Sequence, residues 1–204
     1  MKVCEIFASI QGESSLVGIP MIFIRLSGCN LRCNYCDTTY AFENGKDYTI
    51  TEVINAIKQY NLKYVEITGG EPLLQIEVYD LMDELVKNYN VVLETNGSLS
   101  LEKVNSFIKI IMDVKTPGSG MSDYNYLENL NFLKETDEVK FVITDRNDYE
   151  WAKQFIKEHS IKVREILFSP AFGLLDAKEL AKWIIEDSLD VRLNIQLHKY
   201  ISVR

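Results

Sequence analysis

The sequence predicts an α/β fold of parallel strands with outer helices, and three observations carry the prediction. From Pro20 onward, short β-branched or aromatic runs alternate with amphipathic stretches of helical period, the pattern of repeated βα units around a parallel sheet. No linker or low-complexity tract breaks the alternation, and only 4 residues are proline. Nearly all the chemically unusual residues fall just past the C-terminal end of a predicted strand. In barrels and open α/β sheets that is the face where strand-end loops converge on a ligand.

Residues 3–8 read as an extra N-terminal strand ahead of the array. The array opens with the run Met-Ile-Phe-Ile-Arg-Leu at 21–26, and the helical period first appears at 51–60. Four further strand–helix units follow on the same criteria: strand 64–68 with helix 76–89, strand 91–94 with helix 101–106, strand 110–114 with helix 124–134, and strand 139–143 with helix 148–159. Strand 166–168, helix 176–186 and strand 191–195 complete the array. Trp151 and Trp183, both on helix faces, read as packing residues.

The chain has 204 residues, 47% of them apolar, with 22 Lys and Arg against 30 Asp and Glu and a net charge of -8. This describes one soluble domain over 1–204 that buries roughly 70% of its unfolded surface and needs no metal or disulfide merely to fold. Any metal site is therefore expected to be functional. The acidic balance argues against a sequence-independent nucleic-acid binder, since phosphate neutralisation needs clustered Lys and Arg. Met1-Lys2-Val3-Cys4-Glu5 opens without an apolar leader, and no apolar run approaches the ~18 residues of a membrane span. The expectation is a cytoplasmic protein without membrane or nucleic-acid partners. In a reducing compartment, three cysteines within eight residues read as metal or redox ligands.

Those cysteines stand in Cys29-Asn30-Leu31-Arg32-Cys33-Asn34-Tyr35-Cys36, just past the first strand of the array. Structural zinc usually takes four ligands, commonly from two Cys-x2-Cys pairs. Here Cys4 or His198 would have to complete the set. Three soft thiolates with no obvious fourth ligand suit an iron–sulfur cluster with one iron left open to a substrate or cofactor. Cys4 itself lies in a strand-like run and reads as a small core or edge residue.

Cys-x3-Cys-x2-Cys after one strand, with Gly69-Gly70-Glu71-Pro72 after the next, resembles the radical S-adenosylmethionine (SAM) superfamily. Ile10-Gln11-Gly12-Glu13, Arg25-Leu26-Ser27-Gly28, Asp37-Thr38-Thr39-Tyr40, Glu94-Thr95-Asn96-Gly97, Asp113-Val114-Lys115 and Gln196-Leu197-His198-Lys199 narrow the likeness. Within that superfamily, over nearly the whole chain, the sequence is similar to the 7-carboxy-7-deazaguanine synthase family. The resemblance implies a shortened, partial βα barrel that pairs as a homodimer. It implies a 4Fe-4S cluster, SAM and Mg2+ as cofactors, and an electron donor such as flavodoxin or ferredoxin. The implied reaction converts the pterin substrate 6-carboxy-5,6,7,8-tetrahydropterin to 7-carboxy-7-deazaguanine with loss of ammonia, in queuosine or another 7-deazapurine biosynthesis. The radical chemistry is the cofactor's, and the resemblance assigns no side chain as catalytic.

Carried over position by position, the resemblance makes Cys29, Cys33 and Cys36 the cluster ligands. It assigns SAM to Tyr35, Cys36, Asp37, Gly69, Gly70, Glu71, Gly97, Asp113, Val114, Lys115 and Ser169. On its own Gly69-Gly70-Glu71-Pro72 reads as a strand-to-helix turn with Pro at the first helical position. Thr38, otherwise an ordinary loop hydroxyl, becomes the one protein ligand of Mg2+, an ion that keeps most of its waters. Ile10, Gln11, Gly12, Glu13, Arg25, Thr95 and His198 become substrate contacts. For Gln11 the neutral amide suits a lactam edge, and for Arg25 the planar fork suits a carboxylate, although a surface ion pair explains that residue equally. Thr95-Asn96-Gly97 alone reads as a turn, and His198 as an edge-strand histidine. Family members run on past the Gln-Leu-His-Lys segment with a tail over the substrate. Here Tyr200 to Arg204 follow, and either Arg204 replaces that contact or the pocket is more open. Competing readings are a glycyl-radical enzyme activase with the same cysteine spacing, and a zinc-stabilised binding module.

Overall fold

The computed structural model describes residues 1–203; Arg204, a candidate for the tail contact, lies outside the described residues. Nine strands form one sheet: β1 (Lys2–Ile10), β2 (Pro20–Leu26), β3 (Lys46–Asp47), β4 (Tyr64–Gly69), β5 (Asn90–Thr95), β6 (Lys109–Asp113), β7 (Glu138–Ile143), β8 (Glu165–Pro170) and β9 (Arg192–Leu193). Their order is β3-β1-β2-β4-β5-β6-β7-β8-β9. β1 is antiparallel to both neighbours, and every pair from β2 to β9 is parallel. The end strands β3 and β9 are not neighbours, so the barrel is partial. Among the described residues no helix is long and apolar enough to cross a membrane.

Strand side chains alternate between faces, and here the alternation separates core from site. Ile22, Ile24, Val65, Ile67, Leu93, Ile110, Met112, Val139 and Phe141 point outward into the main apolar core. The residues between them, Phe23, Arg25, Glu66, Thr68, Glu94, Ile111, Asp113, Lys140 and Val142, line a cavity on the concave side.

The helices are α1 (Ile50–Ile57), α2 (Glu77–Leu85), α3 (Arg146–Glu158), α4 (Ala177–Glu186) and α5 (Leu197–Tyr200). α1 starts with a reciprocal capping box between Thr49 and Glu52, while Asp145 and Asp176 cap α3 and α4 through their side chains. Such caps contribute about 1 kcal/mol each.

The structure corrects two expected helices. Residues 101–106 form only turns, with Ser100 Oγ accepting from Glu102 N and Asn105 Oδ1 from Phe107 N. Side chains that satisfy the backbone locally compete with the helix. Residues 124–134 contain only 3-10 turns, Ser122–Tyr124 and Leu127–Asn131. There Asn129 donates to Gly97 O and Leu99 O and accepts from Leu101 N, so tertiary bonds replace a helical ladder. β9 is shorter than the expected 191–195, and His198 sits on α5, not on a strand edge.

The β1–β2 connection and α5 lie across the gap between the sheet's edges. Ser14 N donates to Asn194 Oδ1 at 2.7 Å, Ser15 N to Glu138 Oε2 at 3.2 Å, and Leu197 N to Gly12 O at 2.8 Å. Gly12 is required there, because a Cβ would stand 2.1 Å from His198 Nδ1.

Candidate active site

The concave side of the sheet encloses a cavity of about 560 Å³. Cys29, Cys33 and Cys36, on the loop after β2, are free thiols on its wall. The loop after β4 packs directly against them. A Cβ on Gly70 would lie 2.1 Å from Gly28 O and 2.7 Å from Cys29 Cβ, and Glu71 N donates to Gly28 O at 2.8 Å. Gly69 adopts φ +146, where a Cβ would meet Leu26 O at 2.2 Å. The two glycines therefore bring the second loop's backbone against the cysteine loop.

The Glu71 carboxylate faces away from the cavity. Fully buried, it accepts from Leu73 N (3.0 Å), Thr95 Oγ1 (2.9 Å) and Asn96 N (2.7 Å), tying the β4 and β5 loops together. Asn96 in turn donates to Asn30 Oδ1 at 3.1 Å and to Cys29 Sγ at 3.8 Å. Gly97 and Val114 also stand outside the cavity lining. Gly97, at φ +73, lets the chain pass Asp113 O, and Val114 is a core residue.

The donor set suits an iron–sulfur cluster. Leu31 N donates to Cys29 Sγ at 3.4 Å and Thr38 N to the Cys36 sulfur, and such N–H bonds stabilise sulfur-borne negative charge. Burial pushes the Cys33 thiol up while the Lys115 charge pulls it down. Among the described residues no three His, Cys, Asp or Glu side chains converge as ligands of one ion. A cubane takes each thiolate on a different iron and asks only that the three face one space. Two polar atoms on the same wall are buried without a hydrogen-bond partner among the described residues, Tyr35 Oη and Asp113 Oδ1. A hydroxylated, amine-bearing ligand such as SAM meets that deficit. Ser169 lines the cavity nearby, with Lys115 Nζ on Asp113 Oδ2 at 2.7 Å.

The same cavity is lined by Ile10, Gln11, Gly12, Glu13, Arg25, Thr95 and His198. Arg25 Nε donates to Glu5 Oε1 at 2.7 Å, and Tyr40 Oη donates to the same oxygen at 2.9 Å. Gln11 is committed at both ends, its Nε2 donating to Glu66 and its Oε1 accepting from Glu13 N at 2.9 Å. The Thr95 hydroxyl is turned toward Glu71. Thr38, half-buried in the cavity lining, donates to Asp37 Oδ1 at 3.0 Å. Asp37 also takes Lys199 Nζ at 2.5 Å and Gln196 Nε2 at 3.4 Å, so α5 is clasped to the cysteine loop. Burial would raise the Asp37 carboxyl, but the Lys199 hydrogen bond and charge hold it down at about 2.

Sequence reasoning missed Glu66, Glu94 and Lys140, which form the cavity's charged floor. Lys140 Nζ bonds Glu94 Oε1, lies 3.2 Å from Glu13 Oε2 and 4.0 Å from Asp113 Oδ2. The signal was available as single charges inside apolar strands, Val65-Glu66-Ile67 and Val139-Lys140-Phe141. Among the described residues the cavity wall carries six carboxyl groups, on Glu5, Glu13, Asp37, Glu66, Glu94 and Asp113, against four cations, on Arg25, Lys115, Lys140 and Lys199. Each of those cations is already paired with a carboxylate.

Comparison with known proteins agrees with this arrangement. The model of the Radical SAM superfamily matches residues 23–158. The 7-carboxy-7-deazaguanine synthase of Koribacter versatilis is 44% identical over 98% of this chain and 96% of its own length. That of Chlorobaculum tepidum is also 44% identical, over 98% and 94%. In fold, the crystal structure of QueE from Escherichia coli superposes with a TM-score of 0.79 at 24% identity, covering 97% of this chain and 94% of that one. Radical SAM membership implies a 4Fe-4S cluster and SAM, which the thiol loop and the orphaned polar atoms suit. The chain belongs to the 7-carboxy-7-deazaguanine synthase family of the radical SAM superfamily.

Proposed function

We infer that this chain converts 6-carboxy-5,6,7,8-tetrahydropterin to 7-carboxy-7-deazaguanine and ammonia, a step of queuosine biosynthesis. The observation that carries the reading is a single cavity, lined both by the three thiols and by Gln11, Glu13, Arg25 and His198. The names of the relatives favour it over the activase reading.

Cys29, Cys33 and Cys36 hold the cluster. Tyr35, Asp37, Gly69, Gly70, Asp113, Lys115 and Ser169 are the SAM contacts, while Glu71, Gly97 and Val114 act through the backbone they position. When bound, the cluster and SAM supply a 5′-deoxyadenosyl radical that removes a hydrogen atom from the substrate. Arg25, with Nε fixed by Glu5, keeps its terminal nitrogens for the substrate carboxylate. His198 and the Gln11–Glu13 segment take the ring, and α5 keeps water from that side.

An anionic substrate entering a cavity whose cations are all paired needs added positive charge. Thr38 would hold Mg2+, which would supply that charge. The protein works as a cytoplasmic homodimer with a flavodoxin or ferredoxin as donor.

The test is turnover. Anaerobically reconstituted protein given the carboxylated tetrahydropterin, SAM, reductant and Mg2+ yields the deazaguanine acid by mass spectrometry. Cluster-loaded protein that cleaves SAM without making the acid overturns the reading in favour of the activase. Stoichiometric zinc with no iron–sulfur absorbance overturns both.

A further inference from the structure

The proposed product is the substrate less one ammonia, with no net oxidation, so the second half of the reaction is an elimination. A C–N bond breaks with its electron pair going to nitrogen, and that nitrogen must gain a proton to leave as ammonia. The neighbouring ring carbon must lose a proton as the five-membered ring becomes aromatic. Water-excluding chemistry of this kind calls for a positioned acid and a positioned base.

Two carboxyl groups reach the cavity from neighbouring strands. Glu66 and Glu94 project from inward positions of the adjacent parallel strands β4 and β5 into the one cavity. Glu66 is 2% exposed and accepts a hydrogen bond from Gln11. Glu94 is half-buried, with Lys140 on Oε1 and Thr68 Oγ1 donating to Oε2 at 3.2 Å. The other charged groups facing the pair are Glu13 from the β1–β2 connection, Arg25 from β2, Asp113 from β6 and Lys140 from β7. Lys140 divides its charge among Glu94, Glu13 and Asp113, while Arg25 is held by Glu5.

We propose that Glu66 and Glu94 are the acid and the base of the deamination: Glu66 passes its proton to the departing nitrogen, and Glu94 takes the proton from the adjacent carbon. A proton moving from Glu94 back to Glu66 resets the pair, so protons balance over the cycle. The electrostatics agree with these roles. Burial, and then the charges of Glu94 and Glu13, push the Glu66 carboxyl well above the usual range, which favours its protonated form. Burial acts on Glu94 in the same direction, but the Lys140 charge and hydrogen bond outweigh it and keep Glu94 ionised. Two carboxyl groups driven apart by their surroundings are how one site holds both an acid and a base at neutral pH.

This inference rests on the proposed reaction, and its test separates the two. The reconstituted enzyme and its Glu66→Gln and Glu94→Gln variants receive substrate deuterated at the carbon bearing the carboxylate. Each variant is expected to pass deuterium into SAM as the wild type does, while product falls by about 10²-fold or more and a ring-contracted species of the substrate's mass accumulates. Product within a few-fold of wild type overturns the pair; so does deuterium transfer falling in step with product, which reduces both residues to binding contacts. A wild type that makes no product overturns the reaction and the pair together. Infrared difference spectra of the substrate-free protein give an independent reading. A protonated-carboxyl band at neutral pH, lost in Glu66→Gln, is expected, and its absence from the wild type overturns the acid's role.

Discussion

Gly12→Ala isolates how α5 is docked. A methyl there would lie 2.1 Å from His198 Nδ1, 2.7 Å from Cγ and 2.9 Å from Cβ. Ordinary contact begins near 3.4 Å, so the ring must retreat by about 1.3 Å. The backbone at Gly12 is not left-handed, so alanine brings no conformational strain of its own. His198 sits on a four-residue helix tied down by Leu197 N on Gly12 O and by Lys199 on Asp37, so ring and helix have to move together. Overpacking of this kind costs about 1–3 kcal/mol, equivalent to a loss of substrate affinity of roughly 5- to 150-fold if the displacement falls on the binding step. The assay is a double-mutant cycle in urea with His198→Gly, which removes all three clashing atoms. Gly12→Ala should be nearly neutral in that background, giving a coupling energy of ~1–3 kcal/mol. Additive penalties would refute the packing argument.

Four other perturbations follow from the same geometry. Glu71→Ala strands the buried donors of Leu73, Thr95 and Asn96; at ~1–3 kcal/mol for an unsatisfied group, the urea midpoint should drop by the equivalent of about 3 kcal/mol or more. Asp37 has a folded pKa of about 2, below its ordinary 3.8, so its contribution is fully present above about pH 4 and is lost as pH falls through 2. Lys199→Ala should flatten that stretch of the thermal-midpoint profile. Thr38→Ala should weaken Mg2+ stimulation and leave the iron–sulfur absorbance intact, and an unchanged metal dependence removes Thr38 from the site. Arg25→Ala should raise KM for the carboxylated substrate by about ten-fold or more, as expected for a lost charge-assisted pair, and an unaltered KM returns Arg25 to a purely structural pairing with Glu5.

What the sequence revealed depended on how local each signal was. Apart from the two-residue β3, which no run announces, and β9, which is shorter than its run, the strands and the four longer helices carry their period within ten or so contiguous residues, and they were legible. Residues 101–106 and 124–134 have enough apolar residues to imitate a helix, but the bonds of Asn105 and Asn129 that decide their conformation were invisible. The three cysteines lie on one loop and announce themselves. Glu66, Glu94 and Lys140 come from three separate strands, and only the parallel register brings them to one floor. Glu71 sits inside a motif read for its cofactor, yet its side chain holds loops together. A motif's spacing reports which residues occur, not which way each side chain turns.

Register also explains how an acidic protein handles an acidic substrate. The net charge of -8 is spread over a surface where a Debye length of about 8 Å limits its reach in physiological salt. Inside the cavity the pairs are short, Arg25 to Glu5 at 2.7 Å and Lys115 to Asp113 at 2.7 Å, and their strength rises as water is excluded. The substrate therefore meets the local pairs, not the global charge. A carboxylate that reaches Arg25 shares a guanidinium whose Nε is already spent on Glu5, so what it gains is set by the free edge of that fork. Selectivity for the carboxylated ring then rests on geometry that β1 and β2 impose by pairing Glu5 with Arg25 across the antiparallel ladder, and a lysine at position 25 would keep the charge while losing that edge.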